Sequence, residues 1–222
     1  MAERADEGRA PLTRDRVLEA AVALADAQGI DALTMRNLGQ ALGVAAMSLY
    51  NHVPNKEAIH DGIVDRVVAE IQLPPPGTPW KEAMRQRAWS AHAALVRHPW
   101  ACPLLMSTLN VGPAMIRYVD GTLGFLFAAG FTFREADSAW NAMDSHIYGF
   151  TLQKLNFPMA ESDYQGIAAA YLPTLSPEVH PNMRALTREV AEGRHDGRQD
   201  LGFGLELILD GLERMLAASE RC

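Results

Sequence analysis

Apolar positions along the 222-residue chain recur at spacings of three and four, the period of a helix. No stretch alternates apolar with polar residues over the length of a strand. The pattern predicts an all-α fold. Thr13 can cap a first helix with the stripe Val17, Leu18, Ala21, Leu24 and Ala25, and Gly29 closes it. Thr34 can cap a short second helix carrying Leu38 and Leu42, after which Gly43 permits a left-handed turn. A third short helix is expected from about Ala45 to Val53. Pro54 breaks it, and Asn55 can cap a fourth helix from Lys56 to about Gln72.

The run LPPPGTP, residues 73 to 79, then stops the helix and stiffens the connection. A boundary here divides the chain into a domain over 13–72 and a larger one over 79–219. Beyond it, a helix is expected over 79–97 with Trp80, Ala88, Trp89 and Leu95, ended by His98-Pro99. A short piece through Leu104, Leu105 and Met106 follows, then a helix from about Pro113 to Ala129 that Gly130 terminates. Thr132-Phe133-Arg134-Glu135 reads as a capping box opening another helix, with Ala136, Ala139, Trp140, Met143, Ile147 and Phe150 apolar. Residues 158–200, rich in Pro, Gly, Ser and charge, hold one or two short helices. A last helix, about Asp200 to Ala218, is apolar or glycine on nearly every face of its first half.

Composition changes the picture at one place. Net charge is −7, which argues against nucleic acid on a whole-chain view. Yet no acidic residue lies between Ala32 and Asn55, while Arg36 and His52 fall inside that stretch and Lys56 follows it. This segment is locally basic. Elsewhere composition mainly excludes. No 18-residue apolar run exists to span a membrane, and the charged first ten residues are no signal peptide. A soluble, cytoplasmic protein is expected. Cys102 and Cys222 suit neither a disulfide framework nor a zinc site, and neither a cofactor nor a metal is expected.

The third helix carries the chemistry. With Leu49 facing inward, Val53, Ala46 and Ala45 lie within about 60° of the same direction, whereas Met47 and Asn51 point away and Ser48 and Tyr50 flank. A two-turn helix is too short to stand alone, and Gly39 lets the second helix approach it closely. Such a helix suits the major groove of DNA, which is about 12 Å wide. Ser48 and Asn51 can exchange hydrogen bonds with base edges; Met47 and Ala46 can touch a thymine methyl. Tyr50, His52 and Lys56 suit phosphate oxygens, with Thr34 and Arg36 gripping the backbone across the groove. Two readings stay open beside this: Tyr50 as half-buried packing and His52 as a solvated surface histidine.

The ordered set Gly29, Leu33-Thr34, Arg36, Leu38, Gly43-Val44, Leu49-Tyr50, His52-Val53 and Asn55-Lys56 resembles the N-terminal domain of the tetracycline-repressor (TetR) family. The resemblance covers residues 13 to 72. It implies a three-helix helix–turn–helix DNA-binding domain, with Thr34, Arg36, Ser48, Tyr50, His52 and Lys56 at DNA-contacting positions. Ala46 and Met47 stand where some relatives carry polar or proline residues, and Asn51 often has an aromatic counterpart, so the operator sequence does not carry over.

"FGLELILDGLERMLA" resembles the closing helix of the tetracycline-repressor subgroup, where two helices of each subunit form a four-helix dimer bundle. Independently, a helix apolar on two faces needs two partners, one of which can be a second copy; full burial within one subunit is the alternative. Candidate interface residues are Ile147, Phe150, Gly204, Leu205, Ile208, Gly211, Leu212 and Met215. A homodimer would set two reading helices about 34 Å apart on a palindromic double-stranded operator. The resemblance also implies a pocket for a small organic effector in the C-terminal ligand-binding and dimerisation domain. Its candidate lining is Trp89, His92, Trp100, Met106, Asn110, Phe125, Trp140, Met143, Asp144 and Tyr148, each of which core packing would also explain.

The expected function is a ligand-released transcriptional repressor. The alternatives are a ligand sensor acting through a protein partner without DNA, and a small helical hydrolase using His146 with Asp144 or Ser145. The chain lacks G-x-S-x-G, a phosphate loop and H-E-x-x-H, so it is read as no enzyme.

Overall fold

The computed structural model describes residues 11–107, 109, 111–157, 163–197 and 200–219. Every regular element among them is helical. Three helices open the chain: α1 (Arg14–Gln28), α2 (Met35–Leu42) and α3 (Ala46–Leu49). The caps fall on the expected residues. Thr13 Oγ accepts the Arg16 N–H at 3.2 Å, Thr34 Oγ the Asn37 N–H at 3.1 Å, and Asn55 Oδ1 the Ala58 N–H at 2.8 Å. The Asn55 bond opens α4 (Lys56–Ala69), which stops short of the expected Gln72.

The third helix is shorter than its periodicity suggests. Past Leu49 the backbone tightens, with His52 N–H bonding the Leu49 carbonyl three residues back at 2.9 Å, ahead of Pro54. Ala45, expected to face inward, is exposed, because it precedes the helix in extended conformation. Gly43 takes the left-handed conformation at φ 64°. Gly39 is required by space: a Cβ there would lie 2.9 Å from the Val44 carbonyl oxygen and 3.2 Å from the Ala46 nitrogen. Leu49 and Val53 are fully buried in the same core cluster as Leu38, Ile59 and Ile63, and α3 packs on α2, so α3 is held from beneath.

The rest of the chain is built from α5 (Trp80–Arg97), α6 (Ala101–Ser107), α7 (Pro113–Ala128) and α8 (Phe133–Asn156). It is completed by α9 (Tyr164–Tyr171), α10 (Pro181–Ala191) and α11 (Leu201–Ser219). The α8 capping box forms, with Thr132 and Glu135 bonding reciprocally. Helices α5, α7 and α11 all pack on α8, and α9 pairs with α10. The last helix turns Leu201, Leu205 and Leu209 inward, all fully buried.

Helix α4 belongs to both halves. It packs on α1 and also on α5, α6 and α7. His98, just past α5, adds a second tie. Its Nδ1 lies 2.8 Å from Asp26 of α1 and its Nε2 3.1 Å from Glu70 at the end of α4. No helix among the described residues is long and apolar enough to cross a membrane.

Candidate functional site

The outward surface of α2, α3 and the start of α4 gathers the residues expected to meet DNA. Met47 is 74% exposed and Tyr50 45%, while Asn51, Lys56, Thr34 and Arg36 are also exposed. Ser48, Ala46 and His52 are half-buried on the flanks. Tyr50 is therefore no core residue. The Thr34 oxygen already accepts a backbone N–H, yet its hydroxyl proton stays available to an acceptor. Short, polar and firmly seated, this surface can enter a groove.

The residues expected to line an effector pocket separate into groups. Trp140, Asp144 and Tyr148 meet inside the bundle. Asp144 Oδ2 accepts Trp140 Nε1–H at 2.7 Å and the Tyr148 hydroxyl at 3.1 Å. Its other oxygen accepts from Arg87, a fully buried arginine whose guanidinium lies 4.9 Å from the Tyr118 ring centre. Arg87 Nε and Nη1 find no hydrogen-bond partner among the described residues. Burial, first of all, raises the Tyr118 and Tyr148 hydroxyls above the ordinary phenol range. Sequence reasoning missed Arg87 and Tyr118. The available signal was an arginine at a core position of a stripe otherwise made of Ala83, Met84, Ala88 and Ala91.

Trp89 and His92 stand elsewhere. They line a cleft of about 650 Å³ with Phe150, Lys154, Leu201 and Phe203. The His92 ring contacts Trp89 edge-on at 6.2 Å and Phe150 at 5.5 Å. Trp100 and Met143 join neither group's polar chemistry: Trp100 is buried and donates to Asp26 at 2.7 Å, and Met143 is fully buried core. Met106 is exposed and Phe125 half-buried on α7. Asn110 lies outside the described residues.

The interface candidates need correction. Ile147 and Leu205 are fully buried inside the subunit and offer nothing to a partner. Gly204 serves α8 of its own chain, because a Cβ there would lie 2.3 Å from the His146 ring. Phe150 faces the cleft. Ile208 and Leu212 are half-buried, Met215 is exposed, and Gly211 borders open space. The outward residues that sequence reasoning missed are Phe203, 68% exposed, and Leu207, 60% exposed. The hydrolase grouping does not assemble either. Asp144 faces Arg87, whereas His146 Nε2 bonds the Leu201 carbonyl at 3.0 Å.

Residues 17–62 match the model of bacterial regulatory proteins of the tetR family, and residues 73–216 match that of the tetracyclin repressor-like C-terminal domain. The chain belongs to the tetR family. This regulator is 33% identical to the HTH-type transcriptional repressor DrrR1 of Streptomyces coeruleorubidus, over 96% of this chain and 84% of that one. It is 31% identical to the class D tetracycline repressor protein of Escherichia coli, over 94% and 93%. Its structure superposes on apo ActR of Streptomyces coelicolor with a TM-score of 0.81 at 26% identity, covering 95% of this chain and 99% of that one. ActR has also been solved in complex with actinorhodin; that structure matches with a TM-score of 0.76, 26% identity and the same coverage. The regulator is a DNA-binding transcription factor of helix–turn–helix type, and the family is one of regulators, not enzymes.

Proposed function

We propose that the chain is a cytoplasmic, homodimeric repressor that occupies a palindromic DNA operator and leaves it when a small organic effector binds the C-terminal domain. The outward trio Met47, Tyr50 and Asn51, on a helix anchored by buried Leu49 and Val53, carries this reading. Ser48 and Asn51 read base edges, with Ala46 and Met47 against thymine methyls. Thr34, Arg36, Tyr50, His52 and Lys56 hold phosphates. The second copy covers the apolar outer face of α11, at Leu207, Gly211 and Met215, with Ile208 and Leu212 at its margin. DrrR1 and the class D protein are named as repressors, and ActR binds actinorhodin, which favours the same direction of control here.

Release is a population shift. An effector that binds better to one arrangement of α5 to α8 favours that arrangement. Helix α4 packs on α5, α6 and α7, so it changes the separation of the two reading helices. Fluorescence anisotropy on DNA from upstream of the regulator's own gene tests the core of this reading. Saturable binding at moderate salt, tighter than to scrambled DNA of equal length, is expected. Equal affinity for both would overturn it.

A further inference from the structure

The cleft beside α5 is chemically one-sided, and the asymmetry comes from a chain of hydrogen bonds. The Thr151 hydroxyl donates its only proton to the Ile147 carbonyl at 2.6 Å. His92 Nδ1 lies 2.8 Å from the same Thr151 oxygen, which therefore has only a lone pair to offer it. Nδ1 must carry the ring proton. The second nitrogen, Nε2, is then bare in the neutral ring, and no described residue bonds it. Burial, helped by Lys154, lowers the His92 pKa, so the ring stays neutral at physiological pH. The imidazole is held in one tautomer, with an acceptor available at the cleft that it lines.

The walls around that acceptor are flat and apolar. Trp89 and Phe150 meet the His92 ring edge-on from α5 and α8, and Phe203 of α11 closes the third side. Trp89 remains 49% exposed, a large aromatic surface left uncovered in the subunit. The volume of about 650 Å³ is that of a site for a mid-sized organic molecule. The rim carries two carboxylates, Asp196 and Asp200, against one lysine, Lys154, with His195 beside them, so it disfavours an anionic ligand.

We propose that this cleft binds a planar, hydroxyl-bearing aromatic molecule, which rests on Trp89, Phe150 and Phe203 and donates its hydroxyl proton to His92 Nε2. The inference deepens the regulator reading, on which it rests for the ligand's role as effector. A ligand lacking the donor leaves the acceptor buried and unpaired, a loss on the order of 1–2 kcal/mol, or about tenfold or more in affinity.

The matched pair 6-hydroxyquinoline and 6-methoxyquinoline, titrated calorimetrically into the full chain, tests it. The hydroxy compound should bind at least tenfold more tightly, and His92→Phe should abolish that preference while keeping the ring's volume. Trp89→Ala should weaken both compounds alike. If His92→Phe does not fold, histidine-labelled ¹⁵N NMR on the unaltered chain decides: His92 Nε2 should shift with the hydroxy compound and not with the methoxy one. Equal affinities, binding of neither compound, a preference that survives in His92→Phe, or an unmoved Nε2 resonance would overturn the assignment. The same preparations are assayed on upstream DNA. Specific DNA binding alongside a negative titration sinks the cleft and leaves the repressor reading intact.

Discussion

Asp65 and Ala114 are 49 residues apart in sequence, yet the Asp65 carboxylate accepts the Ala114 N–H at 3.0 Å and the Met115 N–H at 2.9 Å. A side chain of α4 thus caps the first turn of α7, joining the helix that packs behind α1 to the C-terminal half of the chain. Gly112 makes room for it: a Cβ there would lie 2.2 Å from Asp65 Oδ1. Asp65→Ala should cost about 1–2 kcal/mol in urea unfolding, as losing a helix cap does. Gly112→Ala should cost a similar amount by pushing the carboxylate out, although its backbone conformation is ordinary. If the two losses add in the double variant, the glycine does not act through Asp65, and the coupling is wrong.

The buried Arg87–Asp144 pair makes a sharper demand. Arg87 is fully buried, so removing its carboxylate strands a charge away from water. Asp144→Leu should lower stability by about 3–5 kcal/mol. Adding Arg87→Met should restore more than half of that, because the stranded charge disappears with it. The restoration stays incomplete, since Trp140 and Tyr148 also donate to Asp144. Chemical denaturation of the three variants measures this. A double variant no more stable than Asp144→Leu would mean that the pair is not the source of the loss.

Much of this architecture was legible because local signals and the global fold agree. Thr13, Thr34, Asn55 and Thr132 sit where a helix leaves backbone N–H groups unpaired, and each caps the helix that follows. Gly39 and Gly43 likewise marked the close α2–α3 crossing. Periodicity failed where a helix has two apolar faces. In α11 it could not tell that Leu205 turns inward while Leu207 turns out, because both faces read alike. It also could not show that Arg87 and Asp144, 57 residues apart, meet. Such pairing is a tertiary fact, visible beforehand only as one charge out of place on an apolar stripe. The end of α3 was missed because tight turns continued its periodicity without continuing its helix.

His92 links stability to pH. Burial, then Lys154, depresses its folded-state pKa, so its unfolded state binds a proton more readily. The resulting stability is fully present above the unfolded histidine value of about 6.5 and declines as pH falls through it towards the lower folded value. Thermal unfolding of the unaltered chain and of His92→Phe, between about pH 7.5 and 5.5, isolates this contribution. The melting temperature of the unaltered chain should fall more steeply. Parallel curves for the two would show that His92 is not stabilised in its neutral form.

Lys56 and Asn51 are both exposed near the same surface, yet they should fail differently. Lys56 stands at the first turn of α4, where the helix's own N–H groups also favour an anion. A contact with phosphate there would carry no sequence information. Lys56→Ala should therefore weaken binding to operator and scrambled DNA by similar factors, and reduce the slope of log affinity against log salt by about 1. Asn51 points outward beyond α3, where an amide can pair with a base edge. Asn51→Ala should cost about 1–3 kcal/mol on the operator, little on scrambled DNA, and relax selection at one base pair of each half-site. Anisotropy titrations across a salt series, repeated on operators substituted one pair at a time, separate the two behaviours. If Asn51→Ala weakened all sequences equally, the residue would be holding backbone, and α3 would lie in the groove turned away from the orientation that its buried Leu49 implies.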